Sequence, residues 1–229
     1  MEYLHKRKSL TDLVGEPNLF EMIDHWQIYV GQENLNRFLT IFQILSLTKS
    51  VPGDIVELGS WKGANLLGIS KVIRFLEMEH ERKIYSFDSF EGLTNPSKYD
   101  EFDTNLYGKY RGNLGVLQEA INLYDFSDTI SLEIGLIENT VPRFVLANPN
   151  VKLAFIYFDA DLYQPAKTMF SQLAPLLQIG GVILMDEYGY PEWPGETLAT
   201  DEFLAKNPNF RSEKISNAIQ PTLKITRIN

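Results

Sequence analysis

Residues 54–89 read DIVELGSWKGANLLGISKVIRFLEMEHERKIYSFDS, and the order of apolar and polar runs in this stretch indicates the fold class. An apolar run at 55–58 ends at Gly59, and apolar residues at helical spacing follow over residues 66–76. A second apolar run, at 84–87, ends at Asp88. Strand, glycine turn, helix and strand in this order form the repeating unit of parallel sheets.

The same pattern continues along the chain. Apolar residues recur at helical spacing in residues 34–50, 114–124 and 162–176, and we predict a last helix near 196–205. Residues 130–134 alternate like an edge strand, whereas 153–158 and 182–185 are continuously apolar, as in central strands covered on both faces. Two β-like segments follow, near 210–215 and 223–228. We predict one α/β domain over residues 34–229, preceded by a leader at 1–33 that packs on the core or covers a site.

The amino-acid composition excludes several kinds of site and disfavours several kinds of partner. The 229 residues contain no cysteine, which excludes disulfides, thiolate metal sites and cysteine nucleophiles. The chain has 21 Lys and Arg residues and 30 Asp and Glu residues. The resulting formal charge of −9 disfavours nucleic acid as a partner. We find no apolar run long enough for a membrane span or a signal peptide, so we expect a cytoplasmic protein without a membrane partner.

Residues with ligand-binding chemistry follow the first two predicted strands. Ligands bind open α/β sheets at the carboxyl ends of the strands. Glu57, Gly59 and Gly63 surround a turn in which glycine allows close backbone approach and a helix N-terminus offers free N–H groups. Asp88 and Ser89 end the second strand, where a carboxylate can accept hydrogen bonds from the ribose of any adenosine cofactor. A tight turn at the glycines and a capping role for Asp88 explain the same residues structurally.

Four carboxylates follow the fourth and fifth strands. Asp159 and Asp161 end one strand, and Asp186 and Glu187 end the other. Because these strands are expected to be neighbours, the four negative charges crowd one edge of the sheet and repel each other. A hard cation with oxygen ligands, such as Mg²⁺, relieves that repulsion. The alternative makes Asp161 a helix cap and leaves Asp186 and Glu187 solvated in loops.

Taken together, the strand-end segments resemble the motifs of the macrocin O-methyltransferase (TylF-like) family, which belongs to the class I S-adenosylmethionine-dependent, metal-dependent methyltransferases. The segments are 57–63 (ELGSWKG), 88–93 (DSFEGL), 159–163 (DADLY) and 186–189 (DEYG), in the order of the family. The segment 135–142 resembles the one that holds adenine after the third strand, and the whole match spans about 34–205. Ala160 and Glu187 depart from the glycine and aspartate of the family.

The resemblance implies a Rossmann-like seven-stranded sheet, mostly parallel, with helices on both faces and an antiparallel last strand. It implies S-adenosylmethionine and Mg²⁺ as cofactors and a sugar hydroxyl of a glycosylated natural product as acceptor. The cofactor-binding residues that it implies are Glu57, Gly59, Ser60, Trp61, Gly63, Asp88, Ser89, Gly135, Ile137, Glu138 and Asp159. It implies Asp159, Asp186 and Glu187 as metal ligands, with Asp161 as general base.

Several alternatives stay open at this stage. A catechol-like phenol would satisfy the same chemistry, and a nicotinamide-dependent oxidoreductase is disfavoured by the missing Gly-x-Gly-x-x-Gly. A third reading is a non-catalytic S-adenosylmethionine-binding protein, and a homo-oligomer is possible. Residues 190–196, with Trp193, are expected to border the acceptor pocket. The segment 95–111 carries Tyr99, Phe102, Tyr107 and Tyr110, and fits either a mobile lid or an ordinary surface insertion.

Overall fold

The structure, a computed structural model, describes residues 19–78, 80–101 and 103–229. Most of the predicted leader, residues 1–18, and Phe102 of the predicted lid lie outside these ranges. No helix within the described ranges is both long enough and apolar enough to cross a membrane.

Seven strands form one sheet in the order β3-β2-β1-β4-β5-β7-β6. Strands β1 to β5 run parallel, and β7 pairs antiparallel with both β5 and β6. This confirms the predicted mostly parallel sheet with an antiparallel last strand. The strands are β1 (Asp54–Leu58), β2 (Ile84–Asp88), β3 (Ile130–Ile134), β4 (Leu153–Phe158), β5 (Leu177–Met185), β6 (Phe210–Lys214) and β7 (Leu223–Arg227).

Helices cover both faces of the sheet, as predicted. They are α1 (Leu19–Asp24), α2 (Trp26–Tyr29), α3 (Gln32–Leu47), α4 (Ala64–Phe75), α5 (Leu114–Leu123), α6 (Ile137–Ala147), α7 (Tyr163–Gln172) and α8 (Pro194–Lys206). Because side chains alternate between the faces of a strand, Phe155 and Tyr157 of β4 pack with α3, α4 and α5. Ile156 and Phe158 pack on the other face, with α6, α7 and α8.

Three elements differ from the prediction in their type or limits. Helix α6 was not predicted as a helix, because Pro142 lies inside it and its first turn is polar. Strand β5 begins at Leu177 rather than at the predicted residue 182, so Gly180 and Gly181 lie inside the strand, in the part where the pairing register with β4 shifts. Helix α7 ends at Gln172, and residues 174–176 form a 3₁₀ turn around Pro175.

Candidate active site

A cleft of about 290 Å³ lies at the carboxyl ends of the parallel strands. This is the edge where ligands bind open α/β sheets. Of the residues singled out in the sequence, the cleft is lined by Gly59, Trp61, Asp88, Ser89, Ile137, Glu138, Asp159, Asp161, Glu187 and Trp193. Five of the predicted site residues are not in this lining: Glu57, Ser60, Gly63, Gly135 and Asp186. Arg37 and Gln220 also line the cleft, and the sequence pattern did not single them out.

Gly59 brings the end of β1 against the end of β4. Its φ angle is +91°, and a Cβ atom there would lie 1.8 Å from the carbonyl oxygen of Asp159. A side chain at this position is therefore excluded by the backbone of the neighbouring strand. The close approach places the loop that follows β1 beside Asp159.

Asp88 ties two turns together through its carboxylate. Oδ2 accepts hydrogen bonds from the backbone N–H groups of Ser60 at 2.7 Å and Trp61 at 2.8 Å. Oδ1 accepts from the N–H of Phe90 at 2.6 Å. The turn after β1 and the turn after β2 are thus held in one arrangement by a single side chain, which also borders the cleft.

Glu57 is fully buried directly behind the cleft. Its Oε2 accepts a hydrogen bond of 2.6 Å from Ser86, whose hydroxyl also contacts that of Ser60, while Oε1 has no partner. Burial raises the pKa of Glu57 to about 8, and the hydrogen bonds from Ser86 and Ser60 only partly oppose this. Glu57 therefore keeps its proton in the folded protein at neutral pH.

Asp159, Asp161 and Glu187 form the carboxylate cluster of the cleft. One carboxylate oxygen from each lies within 4.8 Å of the others. Burial, reinforced by the negative charge of Asp159, raises the pKa of Asp161 to about 7. Burial, followed by the charge of Asp161, raises the pKa of Glu187 well above its ordinary value. Three of the four carboxylates predicted to crowd this edge therefore meet here, and Asp186 is not in the group.

Glu196, from the first turn of α8, extends this cluster into the protein interior. It is fully buried, and its Oε1 accepts from the backbone N–H of Glu187 at 3.1 Å. Oε2 of Glu196 and Oε2 of Glu187 are both buried, and neither has a hydrogen-bond partner among the residues that the structure describes. Burial, and then the charge of Asp161, raises the pKa of Glu196 well above its ordinary value.

Asp186, the fourth acid at these strand ends, is paired with other side chains of the protein. It is fully buried, and its Oδ1 accepts a hydrogen bond of 2.5 Å from the hydroxyl of Tyr157. Its Oδ2 accepts from Nη2 of Arg37, which also lies 3.7 Å from Oδ2 of Asp159. Arg37 is the one basic residue of α3, and this was the only signal in the sequence that could have drawn attention to it.

The loop between β2 and α5 closes one side of the cleft. Leu93 and Lys109 are joined at its base by a backbone hydrogen bond of 3.0 Å, and Tyr110 packs edge-on against Trp61 with ring centroids 5.7 Å apart. Asp100 is buried, and its Oδ1 accepts from the N–H of Tyr163 at the start of α7 at 2.7 Å. The predicted lid segment is thus anchored at its base and near its middle.

A family comparison agrees with this architecture. Residues 26–213 match the model of the family described as Macrocin-O-methyltransferase (TylF). A sequence relative from Streptomyces olivaceus, an 8-demethyl-8-(2,3-dimethoxy-α-L-rhamnosyl)-tetracenomycin-C 4′-O-methyltransferase, is 30% identical over 152 residues, which are 62% of this chain and 55% of that protein. The demethyldecarbamoylnovobiocin O-methyltransferase of Streptomyces niveus is 27% identical over 164 residues, 69% of this chain and 60% of that protein. The chain therefore spans less than two thirds of the length of these relatives.

Solved structures show the same fold. The calicheamicin methyltransferase CalS11 has a TM-score of 0.81 at 24% identity, covering 98% of this chain and 91% of its own. The O-methyltransferase NovP has a TM-score of 0.71 at 22% identity, covering 85% of this chain and 80% of its own. The predicted class I methyltransferase fold is therefore confirmed.

Proposed function

Because this chain belongs to the macrocin O-methyltransferase (TylF) family, we propose that it transfers a methyl group from S-adenosylmethionine to a hydroxyl group of a small molecule. The observation that carries the proposal is one juxtaposition. The carboxylates of Asp159, Asp161 and Glu187 meet in the same cleft that Asp88 and Ile137 border. Carboxylates that can accept a proton therefore lie beside the part of the cleft that we propose binds the nucleoside of the cofactor.

The cofactor is proposed to lie along the ends of β1 and β2. The carboxylate of Asp88 accepts hydrogen bonds from three backbone N–H groups. About one of its four acceptor positions is left for a ribose hydroxyl, next to Ser89. Ile137 and Glu138 are proposed to lie along the adenine, with Gly135 shaping the turn before them. The turn carrying Gly59, Ser60, Trp61 and Gly63, supported from behind by Glu57, is proposed to hold the methionine part.

The acidic residues fit a divalent cation. Within the described residues, no group hydrogen-bonds to the buried Oε2 of Glu187, and one carboxylate oxygen of Asp159 lies within 4.8 Å of one of Glu187. Carboxylate oxygens are the protein ligands that Mg²⁺ takes. We propose Asp159, Asp186 and Glu187 as ligands of Mg²⁺. A bound cation would supply a Lewis acid that lowers the pKa of an acceptor hydroxyl. Glu187 in place of the family's aspartate is longer by one methylene, and Gln220 orients it through a hydrogen bond of 2.8 Å to Oε1.

Asp161 is proposed as the general base. A carboxylate whose pKa is raised to about 7 can accept a proton from a hydroxyl near neutral pH. As the acceptor oxygen forms its bond to the methyl carbon, the carbon–sulfur bond breaks and S-adenosylhomocysteine leaves. Trp193 and the loop between β2 and α5 border the same cleft, and we propose that they orient the acceptor and exclude water.

A sugar hydroxyl of a glycosylated natural product is the proposed acceptor. The named activity of the Streptomyces olivaceus relative is 4′-O-methylation of a rhamnosyl tetracenomycin, and that of a Micromonospora griseorubida relative is 3″-O-methylation of mycinamicin III. The cleft, with Trp193 and Tyr110 in its lining, offers aromatic surface beside carboxylates. This combination suits the apolar faces and the hydroxyl groups of a sugar.

Methyl transfer can be tested directly with S-adenosylmethionine that carries a deuterated methyl group. We expect S-adenosylhomocysteine and a labelled product with at least one rhamnoside in a panel of glycosides, and loss of both after chelation with EDTA, restored by Mg²⁺. The same assay with catechols in place of glycosides tests the alternative that the acceptor is a phenol. Calorimetry with S-adenosylhomocysteine and with NAD tests the cofactor, and binding of NAD alone would overturn the proposal.

A further inference from the structure

Arg37 occupies a position between two strand ends that is unusual for a cationic side chain. It extends from α3 to the carboxyl ends of β4 and β5, lines the cleft, and its side chain is 26% exposed. Its Nη2 donates to Oδ2 of Asp186 and lies 3.7 Å from Oδ2 of Asp159. The guanidinium therefore contacts two of the three residues proposed above as metal ligands.

Asp186 is fully satisfied by its neighbours in this arrangement. An ionised carboxylate with no solvent exposure is costly unless it is paired and hydrogen-bonded. Tyr157 supplies a hydrogen bond to Oδ1, and Arg37 supplies a charge and a hydrogen bond to Oδ2. Glu187 differs, because its buried Oε2 has no partner. Asp186 is thus already paired with a cationic side chain, whereas Oε2 of Glu187 is hydrogen-bonded to no group within the described residues.

We propose that Arg37 is a resident counter-ion, which holds Asp186 when no metal ion is bound and which a divalent cation must displace. The inference rests on the metal site of the proposed function. A guanidinium does not lose its proton in proteins, so it cannot relieve its repulsion of a metal ion by becoming neutral. Two cations a few ångströms apart repel each other strongly where water is partly excluded. Arg37 therefore has to move away for Asp186 to become a ligand.

The surroundings of Arg37 make such a movement feasible. Its Nε is buried and has no hydrogen-bond partner in the described part of the chain, so the described contacts hold the guanidinium through only some of its N–H donors. The side chain borders open cleft, which gives it a direction in which to turn. The consequence is that Arg37 lowers the affinity for the metal ion and keeps the acidic residues in place while the site is free of metal.

Binding of Mn²⁺ alone, followed by electron paramagnetic resonance of the free ion, tests the inference without any catalytic readout. Arg37→Gln removes the charge and keeps a polar side chain, and Arg37→Lys keeps the charge. Arg211→Gln is the matched control, because Arg211 is an exposed arginine of β6. We expect Arg37→Gln to bind Mn²⁺ at least about tenfold more tightly than the unmodified protein, and Arg37→Lys and Arg211→Gln to stay within about threefold of it.

The outcomes separate this inference from the proposed function. Equal or weaker Mn²⁺ binding by Arg37→Gln, with measurable binding by the unmodified protein, overturns the role of Arg37 and leaves the metal site standing. Absence of Mn²⁺ binding by all variants, while S-adenosylhomocysteine still binds, overturns the metal site itself and this inference with it.

Thermal unfolding keeps the test decisive if Arg37→Gln folds poorly. Without metal, the variant leaves Asp186 without its cation, so we expect its unfolding temperature to fall by roughly 5 °C or more. Saturating Mn²⁺ is then expected to raise the unfolding temperature of Arg37→Gln more than that of the unmodified protein. An equal rise in the two proteins contradicts displacement.

Discussion

The hydroxyl of Tyr157, near the end of β4, donates a buried hydrogen bond of 2.5 Å to Oδ1 of Asp186, the residue that follows β5. Both side chains are fully buried. Burial, and then the charge of Asp159, raises the pKa of Tyr157 well above its ordinary value, so the phenol remains a donor. The bond fixes one of the acidic strand ends before any ligand arrives.

Tyr157→Phe is expected to destabilise the protein by about 1–3 kcal/mol, because it leaves a buried carboxylate oxygen without its donor. Urea unfolding measures the change. Tyr188→Phe is the matched control, since its hydroxyl bonds to Asp201 at 2.9 Å in an exposed position, and we expect a loss within about 0.5 kcal/mol. Equal losses in the two variants would show that the Tyr157 bond contributes nothing special.

The strand-end chemistry was predictable because it depends on topology. Apolar runs located the strands, and the expectation that β4 and β5 are neighbours placed four carboxylates at one edge. Asp159, Asp161 and Glu187 do form a group there, whereas Asp186 is paired with Tyr157 and Arg37 instead. Parallel strands bring their carboxyl ends to one edge whatever the helices do, so this inference needed no knowledge of packing. The continuously apolar runs at 153–158 and 182–185 likewise predicted central strands covered by helices on both faces.

Arg37, Glu196 and Asp100 could not be predicted from the sequence, because each acts through tertiary packing. The rotation of α3 decides that Arg37 reaches Asp186 rather than solvent. The docking of the first turn of α8 buries Glu196 behind Glu187, and the course of a long loop brings Asp100 to α7. Charged residues on helices and loops are usually solvated, so nothing in their spacing signals burial.

The roles of Asp161 and Asp159 can be separated by two isosteric variants. Asp161→Asn is expected to abolish turnover while Mn²⁺ affinity stays within about threefold, because a general base need not hold the ion. Asp159→Asn is expected to lose both turnover and Mn²⁺ affinity, because it removes a charged metal ligand. Methyl transfer and Mn²⁺ binding, measured on the same preparation of each variant, distinguish the general base from the metal ligand. If Asp161→Asn loses Mn²⁺ as severely as Asp159→Asn does, Asp161 is a ligand and the base lies elsewhere.

Glu57 is expected to make the stability of the ligand-free protein fall as pH rises. In the unfolded chain Glu57 loses its proton near pH 4.5, whereas the folded protein retains it up to about pH 8. Between these values folding takes up a proton, so the contribution of protonated Glu57 is complete below pH 4.5 and is lost as pH approaches 8.

Glu57→Gln has no proton to lose, so its stability relative to the unmodified protein is expected to increase by about one to a few kcal/mol between pH 5 and pH 8. Urea unfolding at both pH values measures this difference. Glu119→Gln, an exposed position on α5, serves as the control for removing a negative charge. A difference between Glu57→Gln and the unmodified protein that does not change with pH contradicts the retained proton.

Asp100 is expected to hold the loop between β2 and α5 closed over the cleft. Its Oδ1 caps the start of α7 through the N–H of Tyr163, and its Oδ2 accepts from the N–H of Ser97 at 2.5 Å, so one buried carboxylate joins the loop to the body of the protein.

In Asp100→Ala the buried N–H of Tyr163 loses its partner, which favours opening of the loop. Trypsin is then expected to cleave at Lys98 and Lys109 several-fold faster. Asp103→Ala is the matched control, because the Asp103 carboxylate accepts from the N–H of Asn105 at 2.9 Å, a bond inside the loop that does not connect it to α7. S-adenosylhomocysteine with Mg²⁺ is expected to slow cleavage of the unmodified protein, as a lid requires, and an unchanged cleavage rate would favour an ordinary surface insertion instead.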